Sequence, residues 1–184
     1  KMNNDDIKRS KTLSKALRHD PARLGLRPDR AGWVDVDVLL KACAARGLRI
    51  DRADLERVVA TNDKQRFAFN EDQTRIRASQ GHTIDIDLGL EPLAPPEILF
   101  HGTAAGFVAS IFEHGLLRGG RNHVHLSAEV GTALKVGARH GKPFVFEVAA
   151  AEMARAGHAF FRSDNGVWLV EHVPAEFLRG QAAV

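Results

Sequence analysis

Three prolines fall within five positions, Pro92, Pro95 and Pro96, in the segment Glu91-Pro92-Leu93-Ala94-Pro95-Pro96-Glu97. A proline fixes its own φ, removes a backbone donor and disfavours helix at the residue before it, so neither a helix nor a central strand can run through this stretch. Residues 79–97 also lack a helical period, and a linker is expected there. The chain of 184 residues should therefore fold as two small bodies, 1–90 and 91–184, each able to bury a modest core.

Charge divides the same way. Residues 1–78 carry 18 Lys and Arg against 12 Asp and Glu, a net +6, while 79–184 carry 8 against 11, a net −3. A basic first half suggests a polyanionic partner such as nucleic acid, although a solvated arginine-rich surface gives the same count. No apolar run approaches the roughly 20 residues that cross a bilayer, and neither a membrane segment nor a secretory signal is expected. Lys1 precedes Met2, the expected natural start, and is set aside. The one cysteine, Cys43, cannot form an internal disulfide and reads as a buried thiol, which suits a cytoplasmic location.

The first body reads as three helices and a hairpin. Helix one should begin near Asn4-Asp5-Asp6, turn Ile7, Leu13 and Leu17 inward, and stop before Pro21, leaving Arg18 and His19 at its C-terminal end. Helix two spans Asp35–Arg46 with Val36, Leu39, Leu40 and Cys43 at i, i+3, i+4 and i+7. Helix three takes Asp51 as N-cap, with Ile50 and Leu55 spaced as a hydrophobic staple and Val58 and Val59 continuing the stripe. Residues 66–69 and 74–77 then alternate as strands around a polar turn. A two-residue loop at Glu71-Asp72 sets Arg66 opposite Arg77 and Phe67 opposite Ile76, with Arg66, Arg75 and Arg77 on one basic face. Three helices and a hairpin make a winged-helix-like lobe.

Beyond the prolines the pattern changes. Short strands at Ile98–Phe100, His123–Ser127, Phe144–Val148, His158–Phe161 and Val167–His172 alternate with helices near Ala104–His114 and Ala128–Arg139, a mixed α+β second lobe. The fold class is α+β throughout.

Several short constellations carry chemistry. In Ser14-Lys15-Ala16-Leu17-Arg18-His19-Asp20-Pro21, a forked cation beside a titratable donor suits phosphate, although both cations also complement the negative end of a helix dipole. Asp63-Lys64-Gln65-Arg66-Phe67 places Arg66 at the start of the hairpin, and Ile76-Arg77-Ala78-Ser79-Gln80-Gly81-His82-Thr83 at the linker entrance adds another arginine, an amide and a histidine, although a polar connection gives the same pattern. Phe100-His101-Gly102-Thr103 is expected at a strand end leading into a helix, where glycine lets a ligand approach and the helix N-terminus favours phosphate. His123 and His125 share a strand face, which suits a metal pair, a ligand-binding face or hydrogen-bonded structural histidines; zinc would need further ligands. Arg121 lies in Arg118-Gly119-Gly120-Arg121, a cation on a glycine-rich loop. Trp33 and Trp168 read as core residues.

Taken in this order, these pieces resemble the NAD-dependent RNA 2′-phosphotransferases, the tRNA-splicing enzymes and their bacterial relatives. Gly32-Trp33-Val34, Gln80-Gly81-His82, Val136-Gly137-Ala138-Arg139-His140-Gly141-Lys142-Pro143 and Asn165-Gly166-Val167-Trp168-Leu169 add to the match, which spans nearly the whole chain. The resemblance implies a catalytic set of Arg18, His19, Arg66 and Arg121. It also implies an ADP-ribosyltransferase-like second lobe that binds NAD+ through His101, Gly102, Thr103, His125 and Ser127, with Arg139 and Asn165 as further contacts. The implied reaction has two steps. An RNA 2′-phosphate attacks C1″ of the nicotinamide ribose and expels nicotinamide; O2″ then attacks phosphorus, releasing 2′-hydroxyl RNA and ADP-ribose 1″,2″-cyclic phosphate. No metal is required, the implied RNA is of the tRNA splice-junction type, and a monomer is expected. Phe100 stands where the family often has tyrosine, and Gly119-Gly120 replaces bulkier residues before Arg121.

Two other classes account for part of the pattern. A winged-helix regulator with a ligand-sensing second domain explains the basic lobe but not the Arg and His sets in both lobes. A protein or nucleic-acid-end ADP-ribosyltransferase shares the second lobe and stops after the first step.

Overall fold

The apolar stripes of the first half build the helices that their spacing predicts. The computed structural model describes residues 2–182, leaving Lys1 outside, and the chain divides after Gly89 into two units. In the first, α1 (Asn4–Arg18) opens on Asn3, whose side chain accepts from the Asp6 N–H, and ends on His19. After a 3₁₀ turn at Pro21–Leu24 come β1 (Val34–Asp35), α2 (Val36–Ala45) and α3 (Arg52–Thr61). Asp35 caps α2, and Asp51 and Asp54 form a reciprocal capping box at α3. Strands β2 (Phe67–Phe69) and β3 (Arg75–Ala78) complete a three-stranded antiparallel sheet in the order β1-β3-β2. Leu13, Leu17, Leu39, Cys43, Leu55, Val58 and Ile76 share the core under it.

Three expectations for this unit are corrected. Ile7 does not face inward but is 40% exposed. Its neighbour Asp6 takes the inward stripe with Ser10, Leu13 and Leu17. Burial of that carboxylate is made tolerable by Arg57 and Arg9, which bond it at 2.8–2.9 Å. The Arg57 hydrogen bond leads the effects that hold the Asp6 carboxyl at about 2, against the opposing effect of burial.

The hairpin register is displaced by two residues, with Phe67 opposite Ala78 and Phe69 opposite Ile76. The loop is longer than expected because Asn70 pairs with Arg75 through backbone and side chain, Asp72 accepts from both the N–H and hydroxyl of Thr74, and Gln73 turns at φ 59°. A two-residue slip preserves which residues share a face. That face is nevertheless not uniformly solvated. Arg77 is buried, its guanidinium 4.3 Å over the Trp33 ring and bonded to the Ala31 and Leu88 carbonyls, whereas Arg75 reaches Asp29 in the open.

The expected linker is also shorter at its N-terminal side. Thr83 N–H donates to the Arg18 carbonyl and Asp87 N–H to that of Arg30, so residues 79–89 pack on the first unit. The proline-rich stretch is mostly exposed and tied to the second unit by the Leu93 N–H to the Phe160 carbonyl.

The second unit begins with β4 (Leu99–Ala104), a 3₁₀ turn at Ala105–Phe107, α4 (Val108–His114) and β5 (Leu116–Leu117). Then follow β6 (Val124–Leu126), α5 (Val130–Gly137), β7 (Pro143–Val148) and α6 (Ala150–Arg155). The chain closes with β8 (Phe160–Arg162), β9 (Trp168–Val170), β10 (His172–Val173) and β11 (Leu178–Gln181). Three small antiparallel sheets result, β11-β7-β4, β6-β9-β8 and β10-β5. An isolated bridge between Phe100 and Ser127 joins the first two. Phe146, Val148, Met153, Phe160 and Val173 fill the core between them. Trp168 is in that core. The mixed α+β class holds for the whole chain.

The motif Phe100-His101-Gly102-Thr103 leads toward a helix as expected, but it is deeper in its strand, which runs on through Ala104. It lies within β4, paired in register with Phe144–Glu147 of β7. The following α-helix starts only at Val108, so its N-terminus is four residues from the expected place. Gly102 has a different physical reason. A Cβ there would overlap the Ala133 carbonyl of α5, and one on Gly137 would stand 2.7 Å from the Thr103 carbonyl. The two glycines let α5 settle directly on the backbone of β4.

Candidate active site

In the first unit one short segment touches three of the expected catalytic residues. The Ser79 N–H donates to the Arg66 carbonyl at 2.9 Å, Gly81 lies against the Arg18 guanidinium, and Thr83 Oγ1 is 3.0 Å from His19 Nδ1. Gly81 sits at φ +87°, a conformation that other residues adopt only under strain. Thr83 thereby fixes the Nδ1 edge of the His19 ring.

The approach to Arg66 is equally defined. Asn62, buried, accepts from the N–H groups of Lys64 and Arg66 through Oδ1 and donates through Nδ2 to Ser10 of α1 at 3.0 Å. Gln65 is consequently held at φ 44°, and Arg66 enters β2 half-buried. His82 is 2% exposed among these cations. Burial first, and then the charges of Arg18, Arg77 and His19, push its pKa down to about 4, so it is neutral at pH 7. Nothing in the spacing of residues 79–97 marks Thr83 as the partner of His19 or Asn62 as the anchor of Arg66.

In the second unit the expected cofactor residues divide into groups. His101 Nδ1 lies 3.1 Å from the His125 carbonyl, which only accepts, so Nδ1 carries the proton and Nε2 is left as an acceptor. Burial holds the His101 pKa below its ordinary value, with the Arg121 charge acting the same way against the raising effect of that hydrogen bond. Arg121 Nη1 lies 3.3 Å from His125 Nδ1. A guanidinium only donates, so His125 has the opposite tautomer, its proton on Nε2. Arg121 itself is exposed, on a turn closed by its N–H to the Arg118 carbonyl and by Arg118 Nη1 to its own carbonyl.

Ser127 exchanges both backbone hydrogen bonds with Phe100, setting it beside the strand that carries His101 and Thr103. Asn165 belongs to the β8–β9 turn, where its Oδ1 accepts from Ser163. Arg139 lies exposed on a 3₁₀ turn two residues past the Gly137 contact with Thr103. His123 faces Phe161 at 5.7 Å between ring centres, and burial lowers its pKa. Among the described residues no three His, Cys, Asp or Glu side chains come together as a metal site, and no helix is long and apolar enough to cross a membrane.

Comparison with known proteins gives a single answer. The family model described as "RNA 2'-phosphotransferase, Tpt1 / KptA family" matches residues 4–172. A protein of Trichormus variabilis with the curated name "Probable RNA 2'-phosphotransferase" is 56% identical over 172 residues, 94% of each chain. Relatives bearing the same name in Streptomyces coelicolor and Hahella chejuensis are 53% and 52% identical, covering 94% and 92% of this chain and 94% and 91% of their own.

Proposed function

This chain belongs to the RNA 2′-phosphotransferase, Tpt1 / KptA family, and we propose that it transfers the RNA 2′-phosphate to NAD+ using Arg18, His19, Arg66 and Arg121. Removal of a 2′-phosphate from RNA is its reaction. The observation that carries the residue assignment is the segment 79–83, which binds the Arg66 backbone, supports the Arg18 guanidinium and orients the His19 ring.

Arginine suits this work because it stays ionised and presents a fixed fork of donors to a phosphate dianion. Arg18 and Arg66 hold the incoming phosphate, and Arg121 adds charge stabilisation as negative charge grows on phosphorus. His19, with Nδ1 held by Thr83, uses Nε2 to protonate the departing RNA 2′-oxygen. Neutral His82 fills the space behind the arginines without adding a further buried charge.

NAD+ as co-substrate supplies an electrophilic ribose carbon with nicotinamide as leaving group. For NAD+ we assign the second unit's His101, Gly102, Thr103, His125 and Ser127, with Asn165 and Arg139 as further contacts, because histidine, hydroxyl, amide and guanidinium groups supply both the donors and the acceptors that a dinucleotide needs. Gly102 serves the site through packing of α5. We assign the first unit a winged-helix-like, RNA-binding character and the second an ADP-ribosyltransferase-like one. The enzyme is read as a cytoplasmic monomer acting on splice-junction-type RNA, without a metal.

Incubation with NAD+ and a 2′-phosphorylated oligonucleotide should give 2′-hydroxyl RNA, nicotinamide and ADP-ribose 1″,2″-cyclic phosphate, with turnover unaffected by EDTA. Release of inorganic phosphate without NAD+ would overturn the reading, and zinc-specific rescue after EDTA would favour a metal role for His123 and His125.

A further inference from the structure

We infer that the cleft beside the C-terminal half of α1 is a docking groove for the backbone of the substrate RNA strand, next to the nucleotide that carries the 2′-phosphate. The inference rests on the placement of that phosphate at Arg18 and His19. The cleft lies wholly within the first unit and has a volume of about 590 Å³. Lys15 of α1, Arg23 of the 3₁₀ turn and Arg46 at the C-terminus of α2 line it, over an apolar floor that includes Ala16 and Leu24. Asp20 is the one acidic residue in the lining, and its Oδ1 is occupied in accepting from the Arg23 N–H.

These three cations differ from others on the same unit. Arg9, Arg52, Arg57 and Arg75 are each tied to a carboxylate. Lys15, Arg23 and Arg46 are exposed, and among the described residues none of their side chains is held in an ion pair. Three elements thus bring unspent positive charge to one concave surface, which is the condition for attracting a polyanion. A single phosphate would leave most of this volume empty. A strand fits better, its phosphates on the cations and its sugars against the apolar floor.

Direction comes from α1. Thr12, Lys15, Ala16 and His19 fall at i, i+3, i+4 and i+7, one stripe of the helix, and the first three line the cleft. Lys15 is therefore one turn, roughly 5.4 Å, before His19. With one charge per roughly 3.4 Å of axis on a strand, that is a step of one to two nucleotides from the reacting phosphate.

The test compares two substrates of the intact enzyme, a 2′-phosphorylated dinucleotide and a 2′-phosphorylated RNA of about a dozen nucleotides. For Lys15→Gln/Arg23→Gln/Arg46→Gln, the ratio of kcat/KM for the long RNA to that for the dinucleotide should fall about tenfold. The slope of log KM for the long RNA against log salt should become shallower by about 2, as expected for the loss of two to three phosphate contacts. An unchanged ratio, or equal losses on both substrates, overturns the groove. The premise fails separately: Arg18→Ala that leaves dinucleotide turnover intact removes the phosphate from α1, whatever the ratio does in the triple variant.

Discussion

Arg18, His19 and Arg66 of the first unit and His101 and Thr103 of the second are held by opposite means. In the first, Arg18, His19 and Arg66 stand at the ends of elements and depend on a loop and on single side chains, Thr83 and Asn62, for their orientation. In the second, His101 and Thr103 stand within β4, fixed by its ladder with β7 and by α5 lying on the strand backbone. A site hung on loops can adjust to a bulky, variable polymer; one set in a sheet presents a fixed surface to a small molecule. The same residue types therefore respond differently to substitution in the two places.

The largest expected effect is at Gly102. Gly102→Ala puts a Cβ onto the Ala133 carbonyl, backbone against backbone, and should destabilise the second unit by about 4 kcal/mol or more. Gly81→Ala meets only Arg18 atoms at 3.5 Å or more and suffers mainly from its positive φ, a cost of about 1 to 2 kcal/mol. Urea denaturation of the two variants checks the contrast, and equal losses would break the comparison.

Next comes the chemistry. Arg66→Ala should reduce turnover on the order of 10²-fold, as for loss of one preorganised donor to developing charge. Arg121→Ala should show a loss of the same order, while Arg75→Ala should cost far less, since its guanidinium is already given to Asp29 in an exposed pair. Equal effects at Arg66 and Arg75 would indicate diffuse attraction of RNA in place of a phosphate clamp.

What could be read in advance follows the range of the interactions involved. Val36, Leu39 and Cys43 repeat within one helix, so α2 was legible from its own residues. Asp51 as N-cap, with Ile50 and Leu55, likewise announces α3, whereas the reciprocal bond from Asp54 emerged only in the structure. The hairpin register was not legible, because Asn70 spans the turn to Arg75 and Gln73 adopts a left-handed φ without being glycine. Gly102 looked like a strand end because its reason, Ala133, lies 31 residues away. Residues 79–89 looked like linker for the same cause, since their hydrogen bonds go to Arg18 and Arg30. The six-residue α6 and the two-residue strands are too short to show a period. Arg18 and His19 were legible at the helix end, but the Gly81 backbone against Arg18 and the Thr83 bond to His19 were not.

An effect of similar size concerns pH and stability of the first unit. The folded pKa of His82, about 4, lies below its ordinary 6.5. The unfolded chain therefore binds more protons between these values, and stability is full above about pH 6.5 and declines as pH falls toward 4. The loss over that window is about 3 kcal/mol. His82→Phe should flatten this part of the stability curve when unfolding is followed at several pH values. An unchanged acid limb in the variant would place the responsible group elsewhere.

The smallest effect separates the two chemical steps. Thr83 holds His19 by one hydrogen bond of 3.0 Å, and a net hydrogen bond is typically about 1 kcal/mol, so Thr83→Val should slow the step that needs His19 by about fivefold. In the proposed reaction that step is the second, in which the RNA 2′-oxygen leaves as a poor alkoxide unless protonated. The first step expels nicotinamide and asks His19 for no proton. Thr83→Val, and more strongly His19→Ala, should therefore accumulate RNA-2′-phospho-ADP-ribose, visible by rapid quench of labelled RNA as a slower-migrating species that decays to 2′-hydroxyl RNA. Substitution of His101, whose ring is fixed by the sheet, should instead slow formation of that species. If Thr83→Val slows turnover with no intermediate while nicotinamide release is unimpaired, His19 is not the proton donor. If it slows nicotinamide release itself, the loop positions the phosphate for attack, and the functional difference between the loop-held and sheet-held sites narrows to stability alone.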